Sequence, residues 1–196
     1  MTEAQRRGFL GPGPVAAHVE HARAFVEALS DAPPAKALDL GSGAGLPGLP
    51  LALAWTGSHW WLLDANGRRG AFLAEVVADL ALATRVTVLV GRAEELAHNP
   101  QWRGRFELVT ARSFGRPAVT SECAAGFLRV GGRLAVSEPP EPADERWPAD
   151  GLSELGLRPD RVVARSRAGV RVLEQVVACP DRFPRRVGVP AKRPLF

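Results

Sequence analysis

Apolar residues recur along this chain with two periods, and their alternation predicts an α/β protein. Residues 14–30 place apolar side chains at 15, 19, 22, 26 and 29, a helical spacing behind an early proline. Short apolar runs at 36–40 (KALDL), 59–64 (HWWLLD), 85–90 (RVTVLV), 106–112 (FELVTAR) and 133–138 (RLAVSE) read as strands. Helices fall between them. One opens near Pro47 and runs to about Trp55. A second, 66–82, collects Phe72, Leu73, Val76, Val77 and Leu80 on one side, RAEELA is a short helical turn, and 117–130 is a helix that Gly131-Gly132 terminates. Strands and helices alternating at this spacing predict a parallel sheet covered on both faces. The Pro-rich, acidic stretch 137–151 reads as a long surface loop, and 160–178 as two strands around Ala168-Gly169, a closing hairpin.

Composition narrows the class. With 196 residues and 46 % hydrophobic content, the chain can bury one substantial core. The expected division is a helical segment over 1–35, a domain over 36–180 and a basic, Pro-containing tail over 181–196. No apolar run approaches the roughly 18 residues of a membrane span, and the N-terminus lacks the apolar core of a signal peptide, so a cytoplasmic location is expected. Cys123 and Cys179 have no CxxC spacing and no His/Cys neighbours, which argues against a metal site and for two small packed residues. Trp60 and Trp61 lie inside a strand and are expected in the core. The charge is lopsided: Arg182, Arg185, Arg186, Lys192 and Arg193 face Asp181 alone in the tail, which accounts for the whole +4 excess. Charge by itself is satisfied by a solvated terminus. A phosphate backbone is the second reading.

The candidate chemistry sits in LDLGSGAGLPGLPLALA, residues 38–54. Gly43-x-Gly45-x-x-Gly48 satisfies a dinucleotide fingerprint, whereas Asp39-x-Gly41-x-Gly43-x-Gly45 resembles the turn of class I S-adenosylmethionine (SAM) methyltransferases. A carboxylate at Asp39 would repel a pyrophosphate and could help hold the methionine ammonium. Asp64 ends the second strand, where its oxygens can accept both ribose hydroxyls, although NAD would be served equally well. The terminal hairpin is unlike a dinucleotide domain. The expected fold is therefore α/β, the class I SAM-dependent methyltransferase (Rossmann-like) fold, with a seven-stranded mostly parallel sheet.

Beyond the fold, Asp39 to Pro50 resembles the D-x-G-[ST]-G-x-G-x-P-G-[IL]-P turn of the ribosomal RNA small subunit methyltransferase G (RsmG/GidB) family. Leu62-Leu63-Asp64, the basic pair Arg68-Arg69, GRAEEL (91–96), TARSF (110–114) and the ending FPRRVGVPAKRPLF are similar to further family motifs. His21 falls near the family's R-H-I-L-D-S histidine. The family's N-L-T element is absent, and Ser137-Glu138 then Pro139-Pro140 stand where members carry Lys-Gly. The resemblance implies SAM contacts at Gly41, Leu46, Ala93, Glu94 and Arg112, with Asp39, Gly43, Gly45 and Asp64 completing the cofactor set. It also implies N7 methylation of a guanine in 16S rRNA, the small ribosomal subunit as partner, and neither metal nor membrane. A SAM-binding regulatory module and a small-molecule methyltransferase remain as alternative readings.

Guanine N7 carries a lone pair and no proton, so its methylation requires alignment rather than a general base, and no catalytic acid or base is assigned. A thiolate mechanism has little support, because Cys123 lies within a helix and Cys179 follows a strand. Arg112, at the end of the fourth strand, reads as a contact to the SAM carboxylate or an RNA phosphate, against a salt bridge with Glu94 or Glu95. Phe114 could stack on a base or simply pack. Arg182, Arg185, Arg186, Lys192 and Arg193 are the candidate RNA cations. On that reading, removing the tail weakens RNA binding and leaves SAM affinity unchanged; alternatively Phe183 and Phe196 pin the tail to the fold.

Overall fold

The computed structural model describes residues 1–30, 33–139, 143–164 and 169–196. Its centre is a seven-stranded sheet of β1 (Lys36–Leu40), β2 (His59–Asp64), β3 (Val86–Val90), β4 (Phe106–Ala111), β5 (Leu128–Glu138), β6 (Leu157–Ala164) and β7 (Gly169–Gln175), in the order β3-β2-β1-β4-β5-β7-β6. Strands β1 to β5 pair in parallel, while β7 runs antiparallel to β5 and β6. Helices cover both faces: α2 (Val15–Ala28), α3 (Gly48–Ala54), α4 (Gly67–Asp79), α5 (Ala93–Leu96), α6 (Pro117–Ala125) and α7 (Ala149–Ser153), with a short α1 (Thr2–Arg6) and α8 (Val189–Lys192) at the ends. Strand side chains alternate between two cores. Ala37 and Leu62 join Phe25, Leu51 and Trp60 on one side; Leu38, Leu40 and Leu63 join Phe127, Leu134 and Leu173 on the other. Burial on both faces is why β1 and β2 read as nearly unbroken apolar runs.

The chain winds outward from β1 to β3, then returns to lay β4 against the other side of β1. This reversal opens a crevice at the carboxyl ends of β1 and β4, the place where such sheets receive ligands.

Two sequence expectations need correction. Gly131-Gly132 does not end a helix: α6 stops at Ala125, and both glycines lie inside β5. Pairing with β4 slips between Phe106 and Leu108 there, and a Cβ on Gly132 would stand 2.9 Å from the Phe106 carbonyl oxygen. The pair marks a bulge where two backbones approach, which leaves the same sequence signature as a helix stop. The acidic loop carries a 3₁₀ turn (Asp144–Arg146) and α7, and β6 begins at Leu157 rather than 160. Residues 140–142 of that loop, and Ala168 of the hairpin turn, lie outside the described residues.

Both cysteines are unpaired, Cys123 being buried and Cys179 partly so. Burial pushes the Cys123 thiol up to about 12 and that of Cys179 to about 11, so neither offers a thiolate near neutrality. Trp60 is fully buried, and Trp61 packs edge-on against Phe106 at 5.3 Å.

Candidate functional site

The Gly-rich turn is held from two directions. Gly41, Gly43 and Gly45 take φ of +68°, +55° and +89°, conformations that side chains resist. Gly43 N–H donates to Asp64 Oδ2 and Asn66 N–H to Asp64 Oδ1, each at 2.9 Å. Asn66 in turn caps α4, accepting from the N–H groups of Arg68 and Arg69. One buried carboxylate at the end of β2 thus ties together the turns after β1 and β2. The next turn joins them through Gly91 N–H, which donates to the Asp64 carbonyl at 3.1 Å.

Asp39 supports the turn from below. It is wholly buried, Oδ1 accepts from Thr110 Oγ1 at 2.7 Å, and a Cβ on Gly48 would stand 2.8 Å from Oδ2. Gly48 is therefore required by close approach, whereas the other three are required by positive φ. Among the described residues Oδ2 has no hydrogen-bond partner, so the carboxylate braces the turn through Oδ1 and keeps one oxygen uncommitted. Burial raises its pKa to about 6, against the opposing hydrogen bonds from Thr110 and Ser42.

The cleft above the turn encloses about 300 Å³. Residues 41–44 and Leu46 form one wall, Arg69 and Arg112 flank it, and Phe9–Gly11 with His18 close it from the N-terminal side. Burial lowers the pKa of Arg112, and its hydrogen bonds among the described residues go only to His18, at 2.7 Å to Nδ1 and 3.4 Å to the carbonyl oxygen. It forms no salt bridge among them, although the Asp39 charge opposes the effect of burial. The expected alternative, a salt bridge to Glu94 or Glu95, does not form, because Glu94 pairs with Arg92 at 2.7 Å. A part-buried guanidinium with no carboxylate in hydrogen-bonding reach among the described residues, facing a cleft, suits a ligand carboxylate or phosphate. Ser113 beside it holds φ of +56°, and the Phe114 ring lies against Gly41, where a Cβ would meet Cδ2 at 2.5 Å. Phe114 is a packing residue here.

His21 lies behind Arg112. Burial, with the Arg112 and His18 charges, holds its pKa down to about 4. Asp39 and His21 therefore pull stability in opposite directions. Asp39 binds a proton more tightly when folded, so it costs stability as pH rises from about 4 to 6. His21 binds one less tightly, so its share of stability grows as pH rises from about 4 to 6.5. Urea midpoints compared at pH 4.5 and 6.5 should shift upward with pH more in Asp39→Asn than in the parent, and less in His21→Phe. Identical shifts in all three would refute this assignment.

Ala93 and Glu94 are buried on α5. Burial pushes the Glu94 carboxyl up, but Arg92 and the backbone N–H of Gly188, which reaches Oε1 at 3.1 Å, outweigh it and hold the pKa below the ordinary range. Gly188 belongs to the tail, which is packed against the body. Phe183 is buried, the Phe196 ring covers Gly151, and Arg103 donates to the carbonyls of Cys179, Pro180 and Phe183. Arg185 turns inward: its Nε and Nη2 engage both oxygens of the fully buried Glu122 at 2.9 and 2.6 Å. This corrects the assignment of Arg185 to an RNA surface. Arg186, Lys192 and Arg193 remain exposed, as does Arg182, whose guanidinium lies 4.7 Å from the Phe183 ring centre. Glu138 likewise turns inward, accepting from Trp147 Nε1 at 2.9 Å and from Arg146 at 3.1 Å, so its charge does not face an incoming polyanion.

The sequence reading missed His18, the Phe9–Gly11 roof and Arg92. Arg92 was visible inside GRAEEL; the roof has no apolar period and is set by tertiary contacts. A larger, apolar groove of about 700 Å³ between α2, α3 and α4 shares only Ala44 and Leu46 with the cleft. It offers none of the Arg112 and Arg69 chemistry. Among the described residues no helix is long and apolar enough to cross a membrane.

Comparison with known proteins agrees with this architecture. The ribosomal RNA small subunit methyltransferase G of Chloroflexus aggregans is 37 % identical over 168 residues, covering 83 % of this chain and 70 % of the relative. That of Roseiflexus castenholzii is 35 % identical over 169 residues, covering 83 % and 72 %. The geranyl diphosphate C-methyltransferase of Streptomyces coelicolor A3(2), solved with S-adenosyl-L-homocysteine, shares the fold, with a TM-score of 0.60 over 79 % of each chain at 13 % identity. The family profile described as rRNA small subunit methyltransferase G matches residues 15–146, and the chain belongs to that GidB family.

Proposed function

We propose that this chain transfers a methyl group from SAM to N7 of a guanine in the 16S rRNA of the small ribosomal subunit, a cytoplasmic reaction. The observation that carries the reading is Arg112, a part-buried cation that makes no salt bridge among the described residues, facing a cleft whose Gly-rich wall is anchored by Asp64. Bound in this cleft, SAM supplies an electrophilic methyl group on its sulfonium. The protein's part is placement. Arg112 takes the amino-acid carboxylate, and the backbone of Gly41, Gly43, Gly45 and Leu46 follows the ligand closely because no side chains intervene. Asp64 Oδ1 and Oδ2 keep lone pairs for the ribose hydroxyls beside their two N–H donors. Ala93 and Glu94 border the adenine through the backbone. Asp39 acts on all of these indirectly, by fixing the turn.

Guanine N7 has no proton to remove, so a cleft without a general base is sufficient if the acceptor is held in line. Arg182, Arg186, Lys192 and Arg193 in the tail are candidate cations for the RNA backbone, Arg182 lying 3.9 Å from Glu154, and Arg68 and Arg69 sit near the cleft, Arg69 lying 3.7 Å from Asp64 Oδ2. Each tail cation that meets a phosphate steepens the salt dependence of RNA affinity by roughly 0.7 to 0.9 in log–log slope. The quadruple alanine variant of those four tail residues should therefore flatten the slope. An unchanged slope removes the tail from the RNA surface.

The function itself is tested by expressing the chain in a bacterium whose 16S rRNA lacks this modification. Reappearance of N7-methylguanine, read by borohydride and aniline cleavage, supports the proposal. A binding module leaves the rRNA unmodified, and a small-molecule enzyme transfers label from SAM to a metabolite instead.

A further inference from the structure

Two buried carboxylates on separate helices receive backbone N–H groups from the same tail. Glu122 on α6 accepts from Arg185 N–H at 2.7 Å, and Glu94 on α5 from Gly188 N–H at 3.1 Å. The Glu122 side chain is wholly buried and that of Glu94 is 5 % exposed. Such acids are costly to bury without donors, so their presence implies that the tail is part of the fold rather than an appendage to it. We infer that the C-terminal tail is a positioning element of the cofactor site: Gly188, with Arg92, fixes Glu94 and so holds the Ala93–Glu94 backbone, which lies outside the cleft lining and which the SAM reading sets beside the adenine. This rests on the SAM reading given above.

The geometry makes Gly188 the sensitive residue. Its φ is +79°, and nothing lies within 4 Å of where a Cβ would stand. A side chain here meets no clash; it meets only the cost of the left-handed conformation. That cost is small for asparagine and severe for a β-branched residue. A strained residue 188 relaxes by moving its N–H off Glu94, while Phe183 and the Arg185–Glu122 pair keep the rest of the tail docked. The tail thus reaches both the cofactor shelf and, through Arg186, Lys192 and Arg193, the exposed surface. On this inference a change in the tail alters SAM affinity, against the expectation that it leaves it untouched.

The test is calorimetric titration of S-adenosylhomocysteine into the parent, Gly188→Asn, Gly188→Ala and Gly188→Val, with a melting curve for each. Affinity should fall in that order, with asparagine within about two-fold of the parent and valine about ten-fold weaker. KM for SAM should rise in parallel while kcat holds. Equal affinities across the series overturn the positioning role. So does a fall in kcat with KM for SAM unchanged. If Gly188→Val fails to fold, the Asn and Ala variants carry the comparison. A parent that does not bind S-adenosylhomocysteine removes the SAM reading itself, a result distinct from the other two.

Discussion

Replacing Arg185 by alanine is expected to lower the stability of the chain by about 3 kcal/mol and to leave the salt dependence of RNA binding unchanged. The side chain of Glu122 is wholly buried and takes two charge-assisted hydrogen bonds from this one guanidinium. Without it, the one donor left to Glu122 among the described residues is the backbone N–H of residue 185. Breaking a buried pair by removing one partner costs more than the pair is worth against an apolar replacement, because the stranded charge must stay desolvated or take up a proton. The double variant Arg185→Met with Glu122→Leu should accordingly recover most of the loss. Urea unfolding of the three chains measures both effects. A loss under about 1 kcal/mol, together with a flatter RNA salt slope, would return Arg185 to the RNA surface.

Replacing Asp64 by alanine should weaken S-adenosylhomocysteine binding by about 100-fold, which corresponds to about 2.7 kcal/mol and is of the size expected for two hydrogen bonds to a charged group. The carboxylate has two tasks. It is the acceptor offered to the ribose, and it holds Gly43 and Asn66, on which the shapes of two turns depend. Asp64→Asn retains one acceptor oxygen and presents an amide N–H to the other donor, so it should fall between the parent and alanine. Calorimetry gives the ranking. Binding by Asp64→Ala within three-fold of the parent would mean that neither task matters to the ligand.

Most of the frame was legible because it is set by local signals. KALDL and HWWLLD are apolar on both faces, as central parallel strands must be, and Asp64 stands out as the acid that ends such a run. The Gly-rich turn was equally plain, since only glycine accepts three positive φ values in five residues. Legibility failed where one residue type serves two structural ends. Gly131-Gly132 reads as a helix stop and is a bulge. Arg185 is one of five cations in the tail, and nothing local distinguishes it from Arg186; the difference is Glu122, 63 residues earlier. Glu122 and Glu138 look like surface acids for the same reason, because their partners come from other elements. His18 and the Phe9–Gly11 roof have no apolar period and are placed by contacts with other elements, His18 with Arg112 and Phe9 with Phe72.

Incubating the purified chain with methyl-labelled SAM and small ribosomal subunits lacking the modification, then identifying the labelled nucleoside by mass and position, decides whether this cleft performs the transfer. One methyl group per subunit is expected, on N7 of a single guanine in 16S rRNA. Transfer should be lost in Asp64→Ala at SAM concentrations that saturate the parent. Tight SAM binding with no label in the RNA, or label on a carbon or exocyclic atom, would contradict that transfer.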